Sequence, residues 1–356
     1  MKVIIYTKEV NHYSLINSLI KIIGDHEIVV VVTELIKNNI DRNLNVKLVK
    51  RNDENIYSIF DIKHLRKFDL IIYDEPFSLK DISKLFFINL FIKFRLIVHN
   101  ANTWIIPSYT LNLKNNIYLF IANNIIKRNN KIIVVGSNIK RYIEYINSNI
   151  SVSVIPFNLN DTTLKQIKLK TDKIIISIPG NITFKRDYLP LLESFDKNGL
   201  FEIVNLQLLG SPVGEYGRKV IKYCSELAAK GANIKYYNSF VDNVTFENDI
   251  IKSDLLCAYF DVNFKTFRGQ HEVYGKSKET GISFLSWRYG IPALLPINYN
   301  PIHEIKDQVI HYSNLDNLSI IIKSLTEYNK IEDLKCKSRN NVFINFEKYE
   351  LIKNSK

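Results

Sequence analysis

The stretch "KSKETGISFLSWRYGIPALLP" spans Lys276–Pro296. Charged and small residues lead into an apolar run, then Gly-Ile-Pro, then a second apolar run. Thr280 reads as a helix N-cap, "ISFLSWRY" as the helix and Gly290 as its stop. "IPALLP" reads as a buried strand. Upstream, "LLCAYFD" reads as another strand, followed by a long loop. Strand, loop, helix and strand in that order form one α/β unit.

The same pattern extends in both directions. Toward the N-terminus the β-type runs are "KVIIYT", "EIVVVVT", "FDLIIYDE", "RLIVHN", "KIIVVGS" and "VSVIPFN". They are rich in Ile and Val with little alternation, as expected of strands buried on both faces of a parallel sheet. Between the first two, "NHYSLINSLIKIIG" has helical periodicity and ends at Gly24. A second series comprises "KIIISIPG", "VNLQLLGS", "NIKYYNSF", "LLCAYFD", "IPALLP" and "VIHYS". Residues 158–172 between the series are polar and lack a core period, as in a linker.

The expected fold class is therefore α/β, with two doubly wound Rossmann-like domains facing a cleft. Domain one covers residues 1–165 and domain two residues 173–340, with a C-terminal helix at 341–356 that crosses back. Ligands of open α/β sheets bind at the carboxyl ends of the strands, so the function belongs on strand-to-helix loops.

Composition narrows the class. A chain of 356 residues with 46% hydrophobic and 24% charged residues has enough apolar surface for two cores. Its three cysteines show no metal or redox spacing and suggest buried thiols in a reducing compartment. The N-terminal apolar run is too short for a signal peptide, and no window suits a transmembrane helix. The expected location is cytoplasmic.

Net charge is +12, and residues 80–141 hold ten basic residues against Asp81 alone. That asymmetry suggests an anionic partner. No nucleic-acid-binding motif accompanies it, so nucleic acid is not the expected partner. Within the basic region, Ser78–Val98 interleaves Leu85, Phe86, Phe87, Ile88, Leu90 and Phe91 with lysines. It reads either as a core helix or as a segment lying on an anionic membrane.

Two loops have the composition of phosphate sites. A helix N-terminus at Thr280–Gly281 offers N–H groups and a positive dipole end, with Lys278 as a nearby charge. Beside it, Glu279 suits sugar hydroxyls better than phosphates. "SIPGNITFKRDYLPLLESF" opens the second domain in the same way: Gly180 and Asn181 suit a tight turn, and Lys185 and Arg186 could clamp a diphosphate. In the first domain His12 follows the first strand and suits a general base. Asp74 or Glu75 could serve instead, and His99 and Asn100 are candidate contacts for sugar or acceptor.

Residues 173–300 resemble the C-terminal half of GT-B-fold nucleotide-sugar glycosyltransferases. The resemblance rests on the Gly-polar loop with its basic residues, on "LQLLGSP", on "IKYYNSFVDNVTFENDIIKSDLLCAYFD" and on "KETGISFLSWRYGIPALLP". The first domain matches only in layout. Many retaining members carry two glutamates here; Leu285 stands at the second position, and the loop is closer to a Lys-x-(Ser/Thr)-Gly form. The resemblance implies transfer of a hexose from a UDP-sugar to a bacterial surface-glycan or lipid-linked precursor, with no metal or cofactor. Tyr274, Gly180, Asn181, Lys185, Arg186, Lys278, Glu279, Thr280 and Gly281 would then hold the donor. An epimerase or hydrolase of the same fold, and a basic nucleic-acid-binding protein, are the alternatives.

Overall fold

A computed structural model describes residues 1–8, 12–37, 40, 44–52, 56–58, 61–155, 173–327 and 330–340. The expected linker at 158–172 and helix at 341–356 lie outside the described residues. The chain divides into two compact units, each built on one parallel sheet.

The first sheet comprises β1 (Lys2–Tyr6), β2 (Glu27–Val32), β3 (Lys47–Lys50), β4 (Leu70–Tyr73), β5 (Arg95–Ile97), β6 (Lys131–Val134) and β7 (Ser151–Val154). Its strand order is β3-β2-β1-β4-β5-β6-β7, with every pairing parallel. All the strands expected from sequence are present, and β3 is an addition. β3 escaped notice because it is short and edges the sheet, with Lys47 and Lys50 exposed. Val3–Tyr6 and Leu70–Tyr73 are wholly buried, which explains their missing alternation.

The second unit holds β8 (Ile174–Pro179), β9 (Val204–Leu209), β10 (Ile234–Lys235) and β11 (Leu255–Cys257). After β11 comes a hairpin of β12 (Asn263–Lys265) and β13 (His271–Val273), then β14 (Ala293–Pro296) and β15 (Val309–Tyr312). The second sheet runs β10-β9-β8-β11-β14-β15. Counted within its unit, each sheet begins 3-2-1-4-5-6, the Rossmann order. The order reverses between β1 and β4 in the first sheet and between β8 and β11 in the second, which is where ligands of such sheets bind. Cys224 and Cys257 are buried free thiols that burial pushes up to about 12.

One segment is grouped differently from the expectation. Asn263–Glu279, read as a loop of the second domain, belongs to the first unit. This segment leaves the second unit after β11, forms the β12–β13 hairpin against the first unit, and returns at Thr280. Polar side chains hold it there. Glu272, fully buried, accepts from the Asn102 N–H (3.2 Å), the Thr103 N–H (3.0 Å) and the Thr103 hydroxyl (3.0 Å). Gln270 exchanges two hydrogen bonds with the Ser108 backbone, at 2.7 and 2.6 Å. The Arg268 guanidinium lies 3.5 Å from the Tyr118 ring centre and donates to the Phe77 carbonyl.

Because Glu272 satisfies two buried N–H groups and a hydroxyl, its loss should be expensive. Glu272→Ala should destabilise the protein by about 2–4 kcal/mol. Glu272→Gln retains an acceptor oxygen and should cost less. Denaturant melts of both variants check this; an unchanged midpoint in Glu272→Ala would show that the hairpin is held by other contacts.

Candidate functional site

In the first unit, three adjacent strands deliver one cluster. His12 follows β1, Asp74 and Glu75 follow β4, and His99 and Asn100 follow β5. Asp74 has no solvent exposure, and its N–H extends the sheet by bonding the Tyr6 carbonyl at 2.9 Å. Its Oδ2 accepts from the Thr7 hydroxyl at 2.8 Å and pairs with His12 Nδ1 at 2.7 Å. Its Oδ1 accepts from the Glu75 N–H at 2.9 Å and pairs with His99 Nε2 at 3.2 Å. The two imidazoles lie against each other, with ring centres 4.2 Å apart and planes tilted by 32°.

Burial alone would raise the Asp74 carboxyl. The charge and hydrogen bond of His12, then those of His99, outweigh it and hold Asp74 far below the usual carboxylate range. His99 is lowered, by burial first and by the neighbouring His12 charge second, with Asp74 opposing. An ionised carboxylate only accepts, so the ring nitrogens facing Asp74 carry the protons. In that tautomer the lone pair of a neutral His12 sits on Nε2, the arrangement a general base needs.

Glu75 supports the next layer. It is buried, and its two oxygens accept from the His99 N–H at 2.7 Å and the Asn100 side-chain amide at 3.2 Å. To act as a base it would first have to release these donors. The Lys278 ammonium donates to Asn100 Oδ1 at 2.7 Å. Glu279 Oε2 accepts from the Asn138 side chain at 2.7 Å, beside the start of the helix Ser137–Ile146. Tyr274 stands in the same segment, its ring 5.8 Å from that of Phe264. Lys278, Glu279 and Tyr274, assigned from sequence to the second domain's donor loop, are thus grouped with the first unit, alongside His99 and Asn100.

The second unit carries the remaining candidates. Gly180 follows β8 with φ of +107°, a conformation that favours glycine. Arg186 lies against Gly180 and donates to the Pro179 carbonyl at 2.5 Å. Its guanidinium is therefore turned onto the loop it was expected to extend from. Asn181 and Lys185 are exposed on the same loop. The helix Gly281–Tyr289 begins where expected: Thr280, buried and extended, holds the N-cap position without a side-chain capping bond, and Gly290 ends the helix in the left-handed region. Gly281 has open space around the position a Cβ would take. Leu285 is buried.

Three contributors went unnoticed in the sequence. Thr7 and Asn138 are ordinary polar residues at strand and helix ends. Glu272 lay in what reads as a loop. His12, Asp74 and His99 were visible singly, but sequence spacings of 62 and 25 residues hid their convergence. Their ligand-type atoms all lie within 4.8 Å of one another, as three metal ligands would. Here the Asp74 oxygens are already engaged by Thr7, Glu75 and both histidines.

No protein-family model matches the chain, and no curated protein matches its sequence. Solved structures do match. A glycosyltransferase from Rickettsia africae aligns over 97% of this chain and 94% of its own, at 13% identity and a TM-score of 0.65. Anabaena HepE, solved with UDP and glucose, aligns over 96% and 94%, at 12% identity and a TM-score of 0.63. S. aureus MnaA, solved with UDP, aligns over 97% and 93%, at 14% identity and a TM-score of 0.59. At these identities the likeness establishes the fold: two Rossmann-like α/β units, built as in these proteins.

The lowered pKa of His99 sets a pH dependence. A histidine held neutral in the fold binds fewer protons there than in the unfolded chain, where its pKa is about 6.5. Its contribution is fully present above that value and is lost as pH falls through the lower folded pKa. Thermal melts should therefore show stability falling below about pH 6.5, with a shallower fall in His99→Gln. Identical pH profiles for the two proteins would contradict the assignment.

Proposed function

We propose that the chain is a glycosyltransferase that moves a hexose from a nucleoside-diphosphate sugar, a UDP-sugar, to a hydroxyl of a bacterial surface-polysaccharide or lipid-linked precursor. The observation that carries this reading is the His12–Asp74 pair at the point where the first sheet reverses its strand order. A histidine there, held by a buried carboxylate, has the form of a base for an acceptor hydroxyl. The fold shared with glycosyltransferases and with UDP-bound proteins adds support.

In this mechanism His12 Nε2 takes the hydroxyl proton as the acceptor oxygen attacks the anomeric carbon. Asp74 stabilises the imidazolium that forms and fixes the ring's tautomer. Thr7 and the Glu75 N–H keep Asp74 from rotating. Glu75 positions His99 and Asn100, which contact the sugar or acceptor.

The developing charge on the diphosphate is met by the helix start at Thr280–Gly281 and by the Gly180–Arg186 loop. Lys278, two residues before that helix start in sequence, adds a cation, and Glu279 accepts from sugar hydroxyls. No metal is required, because these dipoles and cations supply the positive field. The work is done in the cytoplasm, at the inner face of the membrane where a lipid-linked acceptor would lie.

A nucleotide-sugar epimerase or hydrolase is the second reading, favoured by the gathering of His12, Asp74, Glu75 and His99 in one cluster. Against it, the oxygens of Asp74 and Glu75 are directed to protein donors. Turnover separates the two, since an epimerase consumes donor sugar with no acceptor present.

His12→Ala should lower transfer by about 10²–10⁴-fold while nucleotide binding survives. Lys185→Ala, on the exposed part of the Gly180–Arg186 loop, should weaken diphosphate binding by about 1–3 kcal/mol, as for a charge-assisted contact. Transfer kinetics and titration calorimetry with UDP check both. Near-normal turnover in His12→Ala would place the base elsewhere or indicate a retaining reaction.

A further inference from the structure

In the expected membrane segment Ser78–Val98, Leu85 and Ile88 are buried in the helix Leu79–Asn89, whereas Phe87, Leu90 and Phe91 are exposed. More apolar exposure follows along the chain. Ile106, Tyr109 and Leu111 line a loop, and Leu113, Ile117 and Phe120 continue from it on the helix Leu113–Arg128. Leu111 is exposed as fully as in an extended peptide (108%), and Leu113 is 72% exposed.

This loop is built to present those side chains. Gln270 satisfies both backbone groups of Ser108. Asn116 does the same for Thr110, at 2.8 and 2.6 Å, and Asn112 caps the helix through the Asn115 N–H at 3.1 Å. The turn of the β12–β13 hairpin lies alongside, with Gly269 facing the Thr110 methyl and Phe267 exposed beside Arg268. Fixing the backbone this way leaves leucines in water at a hydrophobic cost that a partner would remove.

The surrounding charge identifies the partner. Lys80, Lys93, Lys114, Lys127 and Arg128 are exposed on the same pair of helices. The two helices connect β4 to β5 and β5 to β6, so right-handed crossovers place them on one face of the sheet. They run side by side, with the Asn89 amide on the Ile125 carbonyl at 3.3 Å and Arg128 Nε on the Asn89 carbonyl at 2.8 Å. The acidic residue between them in sequence, Asp81, is buried and held by Lys8. An apolar rim with exposed cations on the same two helices, Lys80 and Lys114 at their starts and Lys93, Lys127 and Arg128 at their far ends, matches an anionic lipid surface, with acyl chains for the leucines and phosphates for the lysines. No helix among the described residues is long and apolar enough to cross a membrane, so the contact would be shallow.

We infer that the first unit docks on anionic bilayers through the Ile106–Leu113 loop, the exposed face of the following helix and Phe267, with Leu111 and Leu113 entering the acyl region. The inference stands apart from the transferase reading, because vesicle binding is measured without donor or acceptor.

The test is co-sedimentation with phosphatidylcholine vesicles, with and without phosphatidylglycerol. The full chain should prefer the anionic vesicles at low salt. L111S/L113S should weaken binding by about 10-fold or more, and K114Q and K127Q by about 5-fold each. F240S, exposed on the second unit, should change nothing. Tryptophan emission from L111W should shift to shorter wavelength on anionic vesicles only. Equal binding to neutral and anionic vesicles, or full binding by L111S/L113S, would overturn the inference. So would self-association that L111S/L113S abolishes in a protein that ignores vesicles, since a second copy would then cover the rim.

Discussion

A carboxylate with no exposure to water is an expensive thing to keep ionised, and Asp74 is kept so by its neighbours. The Thr7 hydroxyl, the Glu75 N–H and two imidazoles share its two oxygens. Those donors come from the ends of β1, β4 and β5, so satisfying one buried charge also fixes three loops relative to each other. Take away the charge and two histidines lose their orientation together. The cluster's chemistry and the first sheet's edge geometry thus rest on one group.

A second constraint is topological. The connection from β11 to the helix at Gly281 is not spent within its own unit. It detours through the β12–β13 hairpin, which buried Glu272, Gln270 and Arg268 tie to the first unit. Lys278 and Glu279 therefore lean on Asn100 and Asn138, while the next two residues open a helix of the second unit.

Much of this was legible in the sequence. Buried parallel strands announce themselves as unbroken Ile/Val runs, and β1, β2, β4 and β8 did so. Thr280, Gly290 and Gly24 marked helix ends because capping is a local matter of backbone chemistry. What is not local was hidden. β12 and β13 are three residues each and pair only with each other, so they read as loop. Asp74, His12 and His99 could be flagged but not assembled, because strand order is not written in any one of them. Arg186 in sequence suggests an outward-reaching cation, whereas the Pro179 carbonyl, seven residues earlier, turns it inward.

The central claim is that this fold holds a nucleoside diphosphate. Titrating the full chain with UDP, GDP and TDP, by calorimetry and by shift of the thermal midpoint, tests it most directly, since a ligand specific to the folded state raises that midpoint. The account predicts saturable binding, with UDP preferred. Failure of all three nucleotides to bind or to move the midpoint would contradict it.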